Sequence, residues 1–227
     1  CTSVDLIHYY LARINTYDNN LKLNSIAEIN PNAESIALQL DLERTQGKKR
    51  SPLHGIPIVI KDNIQTRDMH TTAGTIALKD FCAPHNAPIM DELGKAGMII
   101  LAKTNLSEFA NFNSTDMPNG FSSNYGQTIS PYHDYIDPSG SSTGSAVAVA
   151  ANLSPVAIGT ETNGSLTSPA EKNNLVTLKP TLNLLSAQGI IPISCQQDTP
   201  GPLTRTVKES ALLMDYLQEK KIFLNAC

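Results

Sequence analysis

An almost continuous run of apolar residues, residues 56–60, most constrains how this chain can fold. Such a run is typical of a strand that is buried on both faces of a sheet, because neither face is left to polar side chains. Residues 98–102 and 156–159 are two more runs of this kind, and residues 87–96 have a helical pattern. Strands that alternate with helices predict an α/β fold, with a mixed, largely parallel β-sheet core flanked by helices.

The rest of the chain predicts further helices and short strands. Ser3 can cap a first helix with an apolar face, and Pro31 suits the first position of a second helix that runs towards Glu43. Further helices are predicted at residues 105–112, 146–151 and 207–217, and short strands at residues 175–178 and 190–193.

Composition predicts a globular protein and argues against several partners. The 227 residues are 41% hydrophobic and 17% charged, which supplies enough apolar material for a core. The net charge of −4 is spread out, without the basic stripe of a nucleic-acid-binding protein. No run has the length of a membrane span and no signal peptide is visible, so we expect a cytoplasmic protein that binds neither nucleic acid nor membrane. Because the chain does not begin with Met, an N-terminal segment could be missing.

Cysteine and histidine spacing argues against a disulfide framework and against a metal site. The cysteines lack C-x-x-C spacing, which predicts reduced thiols in a reducing compartment: Cys1, Cys82, Cys195 and Cys227. The five histidines are scattered, without an H-x-x-x-H or H-E-x-x-H pair. We therefore expect no metal site.

Lys61 directly follows the buried run at residues 56–60. A lysine at the end of a buried strand is costly unless it reaches solvent, pairs with a carboxylate such as Asp62, or loses its proton. The first two outcomes are the common ones for a charged residue. In the third, a desolvated lysine with a lowered pKa could serve as a base near neutral pH.

Ser165 lies at the end of a small, polar run, residues 160–165, that follows the buried run at residues 156–159. A serine in a tight loop after a buried strand is placed as a nucleophile often is, and small residues before it let backbone N–H groups face a developing oxyanion. The simpler interpretation is a turn that joins two strands.

Residues 140–145 form a Gly/Ser-rich approach to the Ala-rich helix at residues 146–151, where N–H groups would favour an anion or an activated hydroxyl. Residues 140–144 match G-x-S-x-G, but the polar stretch before them lacks the strand of a hydrolase elbow. No histidine follows His133, so a Ser–acid–His order is excluded unless the chain is incomplete, whereas a His–Asp–Ser order ending at Ser165 stays possible. A desolvated lysine is the other recognised base.

A long polar loop, residues 113–139, is predicted to be functional rather than idle. Disorder is the competing interpretation, but aromatic residues give the loop anchors. We expect Asn113, Phe121 and Tyr125 to lie in a loop that contacts substrate.

Several motifs, in chain order, together resemble the amidase signature family: residues 55–63, 140–146, 158–165, 169–170, 178–181 and 198–202. The resemblance covers nearly the whole chain. Within the family the chain looks most similar to peptide-amidase-like members, through residues 160–165 and 197–199. The resemblance implies one domain, residues 1–227, in which an N-terminal helical segment (1–50) packs on a catalytic core (51–227).

The resemblance also implies a Ser–cis-Ser–Lys triad that hydrolyses a carboxamide through an acyl-enzyme, without a cofactor. Ser165 matches the nucleophile, Ser141 the bridging serine in a cis peptide, and Lys61 the base. The backbone N–H groups that match the oxyanion hole are those of Thr162, Asn163, Gly164 and Ser165. Ser142 and Asp62 match supporting positions around the triad.

The chain departs from the family pattern in three places and in length. Asn163 stands where many members have Gly, Ser139 replaces a frequent Gly, and residues 166–168 lack a frequent Arg, which puts the substrate in doubt more than the catalysis. Members usually carry a further C-terminal half, so we expect an exposed apolar face where that half would pack. Two alternatives stay open. One is a fragment that is catalytically silent and serves as a scaffold or binding half, or that depends on a partner. The other is an ammonia-producing subunit of a tRNA-dependent amidotransferase, which predicts a stable partner protein.

Overall fold

The computed structural model describes residues 1–218. The helices are α1 (Ser3–Arg13), α2 (Ala33–Thr45), α3 (Pro88–Ala96), α4 (Thr143–Ala150), α5 (Thr167–Lys172) and α6 (Val207–Leu217). The strands are β1 (Ile26–Ile29), β2 (Pro57–Lys61), β3 (Ile99–Thr104), β4 (Phe121–Ser122), β5 (Gly126–Gln127), β6 (Ala157–Glu161), β7 (Val176–Thr177) and β8 (Thr199–Thr204).

Six of these strands form one sheet, in the order β1-β3-β2-β6-β8-β7. Strand β2 is parallel to both β3 and β6, whereas β1 is antiparallel to β3, and β8 is antiparallel to β6 and β7. Four of the six strands, β2, β3, β6 and β7, therefore run in one direction. This arrangement confirms the predicted mixed, largely parallel sheet.

Helices cover both faces of the sheet, which is why the central strands are apolar on both sides. Val59 of β2 packs in a core with α1, α2 and α4. Its neighbours Ile58 and Ile60 pack in a second core with α3 and α6. Side chains two residues apart in a strand share a face. Lys61 therefore faces the same side as Val59, towards the start of α4.

Several predicted helix starts are wrong by one to three residues; α4, for example, begins at Thr143 rather than at residue 146. Thr2, and not Ser3, caps α1, and its side chain and that of Asp5 form a reciprocal capping box. Helix α2 begins at Ala33, so Pro31 lies outside it. The predicted bounds of α6 are confirmed, and α3 begins one residue later than predicted.

The predicted helix at residues 105–112 is reduced to a 3₁₀ turn, Glu108–Asn111. Phe109, Ala110 and Asn111 have φ angles of +46°, +54° and +69°, a left-handed conformation that cannot continue an α-helix. The predicted strand at residues 190–193 is reduced to a single bridge between Ile190 and Ile64.

Strand β8 was not predicted from the sequence, which contains two prolines there, and proline disfavours a strand. It forms through tertiary pairing, with Pro200 opposite Thr160 and Pro202 opposite Ile158 of β6. Strands β1, β4 and β5 and helix α5 were also not predicted.

The structure also bears on the predicted reduced cysteines and on the expected absence of a membrane-spanning helix. Cys1, Cys82 and Cys195 are free and exposed, whereas Cys227 lies outside the described residues. Within residues 1–218, no helix is both long enough and apolar enough to cross a membrane.

A buried ion pair between Asp62 and Lys103 lies next to the C-terminal end of β2. Both side chains are fully buried, and Nζ of Lys103 is 3.5 Å from Oδ1 of Asp62. Lys103 also donates to the carbonyl oxygen of Ile64 at 2.6 Å, and Asp62 accepts from the N–H of Thr72 at 3.2 Å. Burial raises the pKa of Asp62 and lowers that of Lys103, while each charge opposes the shift of the other.

We expect Lys103→Met to lower the free energy of unfolding by about 3–5 kcal/mol, because it leaves the Asp62 carboxylate buried without its cation. The double variant Asp62→Asn/Lys103→Met should recover part of this loss, since no uncompensated charge remains. Urea denaturation measures both, with exposed Lys179→Met as the control. A loss for Lys103→Met no larger than that of the control would contradict the expectation.

Gly144 and Gly94 offer a matched test of how closely α4 packs. A Cβ at Gly144 would collide with the backbone carbonyl oxygens of Asn105 and Ser25, whereas one at Gly94 in α3 would meet no heavy atom within 4 Å. Gly144→Ala should therefore destabilise the protein by about 1–3 kcal/mol, and Gly94→Ala should stabilise it by about 0.5–1 kcal/mol. Thermal unfolding of both variants checks this difference in sign.

Candidate active site

Lys61, the last residue of β2, is fully buried. Its Nζ lies 2.8 Å from Oγ of Ser141, 3.0 Å from Oγ of Ser142 and 2.9 Å from Oγ1 of Thr160. The carbonyl oxygen of Thr160 is a fourth neighbour, at 3.3 Å. The immediate surroundings of the amine are thus hydroxyl and carbonyl oxygens rather than carboxylates.

Burial lowers the pKa of Lys61 from 10.5 to about 7, because the ammonium loses its hydration. The charges of Glu161 and Asp198 oppose this shift. Of the three outcomes expected for this lysine, the structure therefore supports desolvation. The alternative of pairing with Asp62 is wrong, because successive residues point to opposite sides of a strand end and Asp62 pairs with Lys103.

Ser141 and Ser142 are buried where the chain enters α4. The peptide between Gly140 and Ser141 is cis. Oγ of Ser142 donates to the carbonyl oxygen of Thr160 at 3.0 Å and accepts from its N–H at 3.2 Å. The N–H of Ser142 donates to the carbonyl oxygen of Ser165 at 3.3 Å. Ser142 therefore connects α4 with β6 and with the residue predicted as the nucleophile.

Ser165 follows β6 in the turn that leads to α5, and it is 8% exposed. A cavity of about 290 Å³ is lined by both Ser165 and Ser141. Thr162 and Asn163 also line it. The structure thus brings Ser141, Ser165 and three of the four predicted oxyanion-hole residues to one cavity, and Lys61 Nζ lies beneath Ser141 within hydrogen-bonding distance.

Gly164 has a different place in the turn. It has a φ of +83°, which glycine adopts without strain, and it does not line the cavity. Its N–H instead contributes to the stabilisation of the Glu161 carboxylate.

Glu161, the last residue of β6, is buried beneath this turn. Its Oε2 accepts from the N–H groups of Leu166 at 2.8 Å and Thr167 at 2.9 Å, and from Oγ1 of Thr167 at 3.1 Å. Burial alone would raise the pKa of Glu161, but these donors and the Gly164 N–H outweigh burial and lower it. The carboxylate therefore stays charged at neutral pH.

Asp198 approaches the same turn from the segment before β8. One carboxylate oxygen accepts from the hydroxyl of Thr162. The other accepts from the N–H of Ile193 at 2.8 Å and of Ser194 at 2.9 Å. Ile193 itself lines the cavity of Ser165. Asp198 thus links the cavity wall to the turn.

Sequence reasoning quoted Thr160, Glu161 and Asp198 within motifs but assigned them no role. The available signal for Thr160 was its place one residue before the end of a buried strand, where a polar side chain needs a partner. Asn63 was also missed: its Nδ2 donates to Oγ1 of Thr160 at 3.0 Å, and its buried Oδ1 accepts from none of the described residues.

None of the three residues predicted for a substrate loop lines the cavity of Ser165 in the described structure. Asn113 is exposed, Phe121 lies in the β4–β5 hairpin, and the carbonyl oxygen of Tyr125 accepts from Asn24. The preceding residues Asn111 and Phe112 line the cavity instead. The chain has positive φ angles at residues 109–111, up to and including the first of these two residues. Contact of Asn113, Phe121 and Tyr125 with substrate stays a prediction.

The side chains of residues 1–218 do not form a metal-binding site. No group of three or more His, Cys, Asp or Glu side chains among them is arranged to hold an ion. The absence of a cofactor stays a prediction.

Comparison with known proteins identifies the family. The profile of the family described as Amidase matches residues 5–224. The X-ray structure of native peptide amidase from Stenotrophomonas maltophilia superposes with a TM-score of 0.94 at 47% identity, covering 97% of this chain and 45% of that one. A Schizosaccharomyces pombe protein whose name assigns it provisionally to the amidases is 44% identical over 213 residues, which are 92% of this chain and 36% of the relative.

An amidotransferase subunit is also similar. The glutamyl-tRNA(Gln) amidotransferase of Trichodesmium erythraeum has a component chain that is 40% identical over 213 residues, which are 94% of this chain and 43% of the relative. The chain spans less than half the length of each of these three relatives. Because the family profile covers nearly the whole sequence and the fold matches throughout, the chain belongs to the amidase signature family.

Proposed function

We propose that the protein containing this chain hydrolyses the C–N bond of a linear carboxamide, with Ser165 as nucleophile, Ser141 as proton relay and Lys61 as base. One observation carries the proposal: the fully buried Lys61 has a pKa of about 7, and its Nζ is 2.8 Å from Ser141, which shares a cavity with Ser165. A base is most effective when its pKa lies near the working pH.

The proposed reaction begins with a proton relay. The neutral amine of Lys61 accepts the hydroxyl proton of Ser141, and Ser141 accepts that of Ser165 as its Oγ attacks the amide carbon. Negative charge develops on the carbonyl oxygen near the N–H groups of Thr162, Asn163 and Ser165.

Collapse of the tetrahedral intermediate breaks the C–N bond. The relay returns the proton to the leaving nitrogen, so that ammonia or an amine departs and an acyl-enzyme remains. Water then attacks the acyl carbon, gives its proton to the same relay and releases the carboxylic acid.

Peptide amides are the substrate class that we infer, because the peptide amidase from Stenotrophomonas maltophilia shares the fold at 47% identity. A second candidate is an ammonia-producing subunit of a tRNA-dependent amidotransferase, which the 40% identity to the Trichodesmium erythraeum protein favours. The second candidate predicts a stable partner protein that co-purifies with the full-length protein.

Labelling with a fluorophosphonate probe tests the nucleophile and the base. We expect one adduct, mapped to Ser165, that is abolished in Ser165→Ala. Lys61→Ala should slow labelling by about 10²–10⁴-fold, because the hydroxyl loses its general base. The exposed pair Ser186→Ala and Lys179→Ala serves as the control and should label as the wild type does. Absence of an adduct in folded wild-type protein would mean that the triad is not assembled, and the silent-fragment alternative would then lead.

The pH dependence of labelling tests the protonation state of Lys61. Its pKa is about 7, and only the neutral amine can accept a proton, so the labelling rate should rise with pH through about 7 and then level off. Rate constants measured from about pH 5 to about pH 9 check this midpoint. A rate that continues to rise towards the ordinary pKa of lysine would show that burial does not lower the pKa of Lys61.

A further inference from the structure

The turn that carries Ser165 is closed from within by the side chain of Glu161. Residues 162–165 connect Glu161 to Leu166, and Oε2 of Glu161 reaches across this connection to the N–H groups of Leu166 and Thr167. Leu166 caps α5 and Thr167 is its first residue, so neither N–H group has a partner inside the helix. One buried carboxylate therefore fixes the distance between the two ends of the turn.

Asp198 holds the same turn from outside. It accepts from the hydroxyl of Thr162, the first residue of the turn, and from the N–H groups of Ile193 and Ser194. Because Ile193 lines the cavity of Ser165, this carboxylate joins two walls of that cavity. Hydrogen bonds to a carboxylate are about twice as strong as those between neutral groups, so both contacts are suited to holding backbone in place.

We propose that Glu161 and Asp198 are positioning residues that hold residues 162–165 in the conformation required for acylation of Ser165. The inference rests on the proposed function, since it concerns the same serine. Stabilisation of an oxyanion requires N–H groups that are aimed before the reaction, and small displacements of such groups cost rate. Neither carboxylate needs to contact the substrate to have this effect.

A second effect of the same geometry acts on Lys61. The side chains around its Nζ from the start of α4 and from β6 are the neutral hydroxyls of Ser141, Ser142 and Thr160. Charged groups lie further away: the Glu161 and Asp198 carboxylates, which favour the ammonium, and the Asp62–Lys103 pair, whose charges offset one another. Removal of either carboxylate charge should therefore lower the pKa of Lys61 below about 7.

The test compares Glu161→Gln and Asp198→Asn with wild type in the fluorophosphonate assay. We expect each variant to label Ser165 at least about tenfold more slowly, and the pH midpoint of labelling to move to lower pH. Glu171→Gln, an exposed carboxylate of α5, is the matched control and should behave as wild type. Thermal unfolding is measured in parallel to show that each variant is folded.

The pH midpoint reports the loss of the charge, and the plateau rate at high pH reports positioning. A merely structural role would lower the unfolding temperature but leave the labelling rate of the folded protein on the high-pH plateau unchanged. That result would overturn the inference while leaving the proposed function intact. If wild-type protein itself is not labelled at Ser165, the proposed function fails and the inference fails with it.

Thr162→Val keeps the test of Asp198 decisive if Asp198→Asn does not fold. It removes the hydroxyl that Asp198 holds but leaves both charges in place. We expect slower labelling with an unchanged pH midpoint. Labelling as fast as that of wild type would overturn the positioning role of Asp198.

Discussion

Burial of one amine, that of Lys61, is the constraint on which the rest of the site depends. The amine lies at the end of a central strand, β2, between two parallel neighbours, and water does not reach it. Loss of hydration destabilises the ammonium, which is why the pKa falls to about 7. The oxygens of Ser141, Ser142 and Thr160 can accept hydrogen bonds from the charged form, and the hydroxyls among them can donate to the neutral one.

The placement of the carboxylates follows from this constraint. A carboxylate in direct contact with the amine would favour the ammonium and remove the base. Glu161 and Asp198 instead direct their oxygens to N–H and hydroxyl groups of the turn around Ser165. They influence Lys61 only through their charge. The Asp62 carboxylate, next in sequence to Lys61, is occupied by Lys103.

Local sequence patterns predicted those helices and strands whose formation depends on local hydrophobic periodicity. The apolar run at residues 56–60 predicted β2, and the amphipathic pattern at residues 207–217 matched α6 because its periodicity marks one buried face. Predictions failed where tertiary contacts override local preference. Strand β8 forms despite Pro200 and Pro202, because β6 and β7 pair with it on either side. The left-handed turn at residues 109–111 likewise has no strong local signal.

By itself the sequence determined which side chains carry the chemistry: a lysine that ends a buried strand and a serine in a turn of small residues. These follow from residue type, apolar runs and resemblance to a family, all of which are local or linear information. Only the tertiary structure decided the further partners: that Lys61 also meets Thr160, that Asp62 meets Lys103, and that residues 111–112 rather than Asn113 line the cavity. Such contacts join residues distant in the chain, and the packing of α4 and β6 around β2 brings them together.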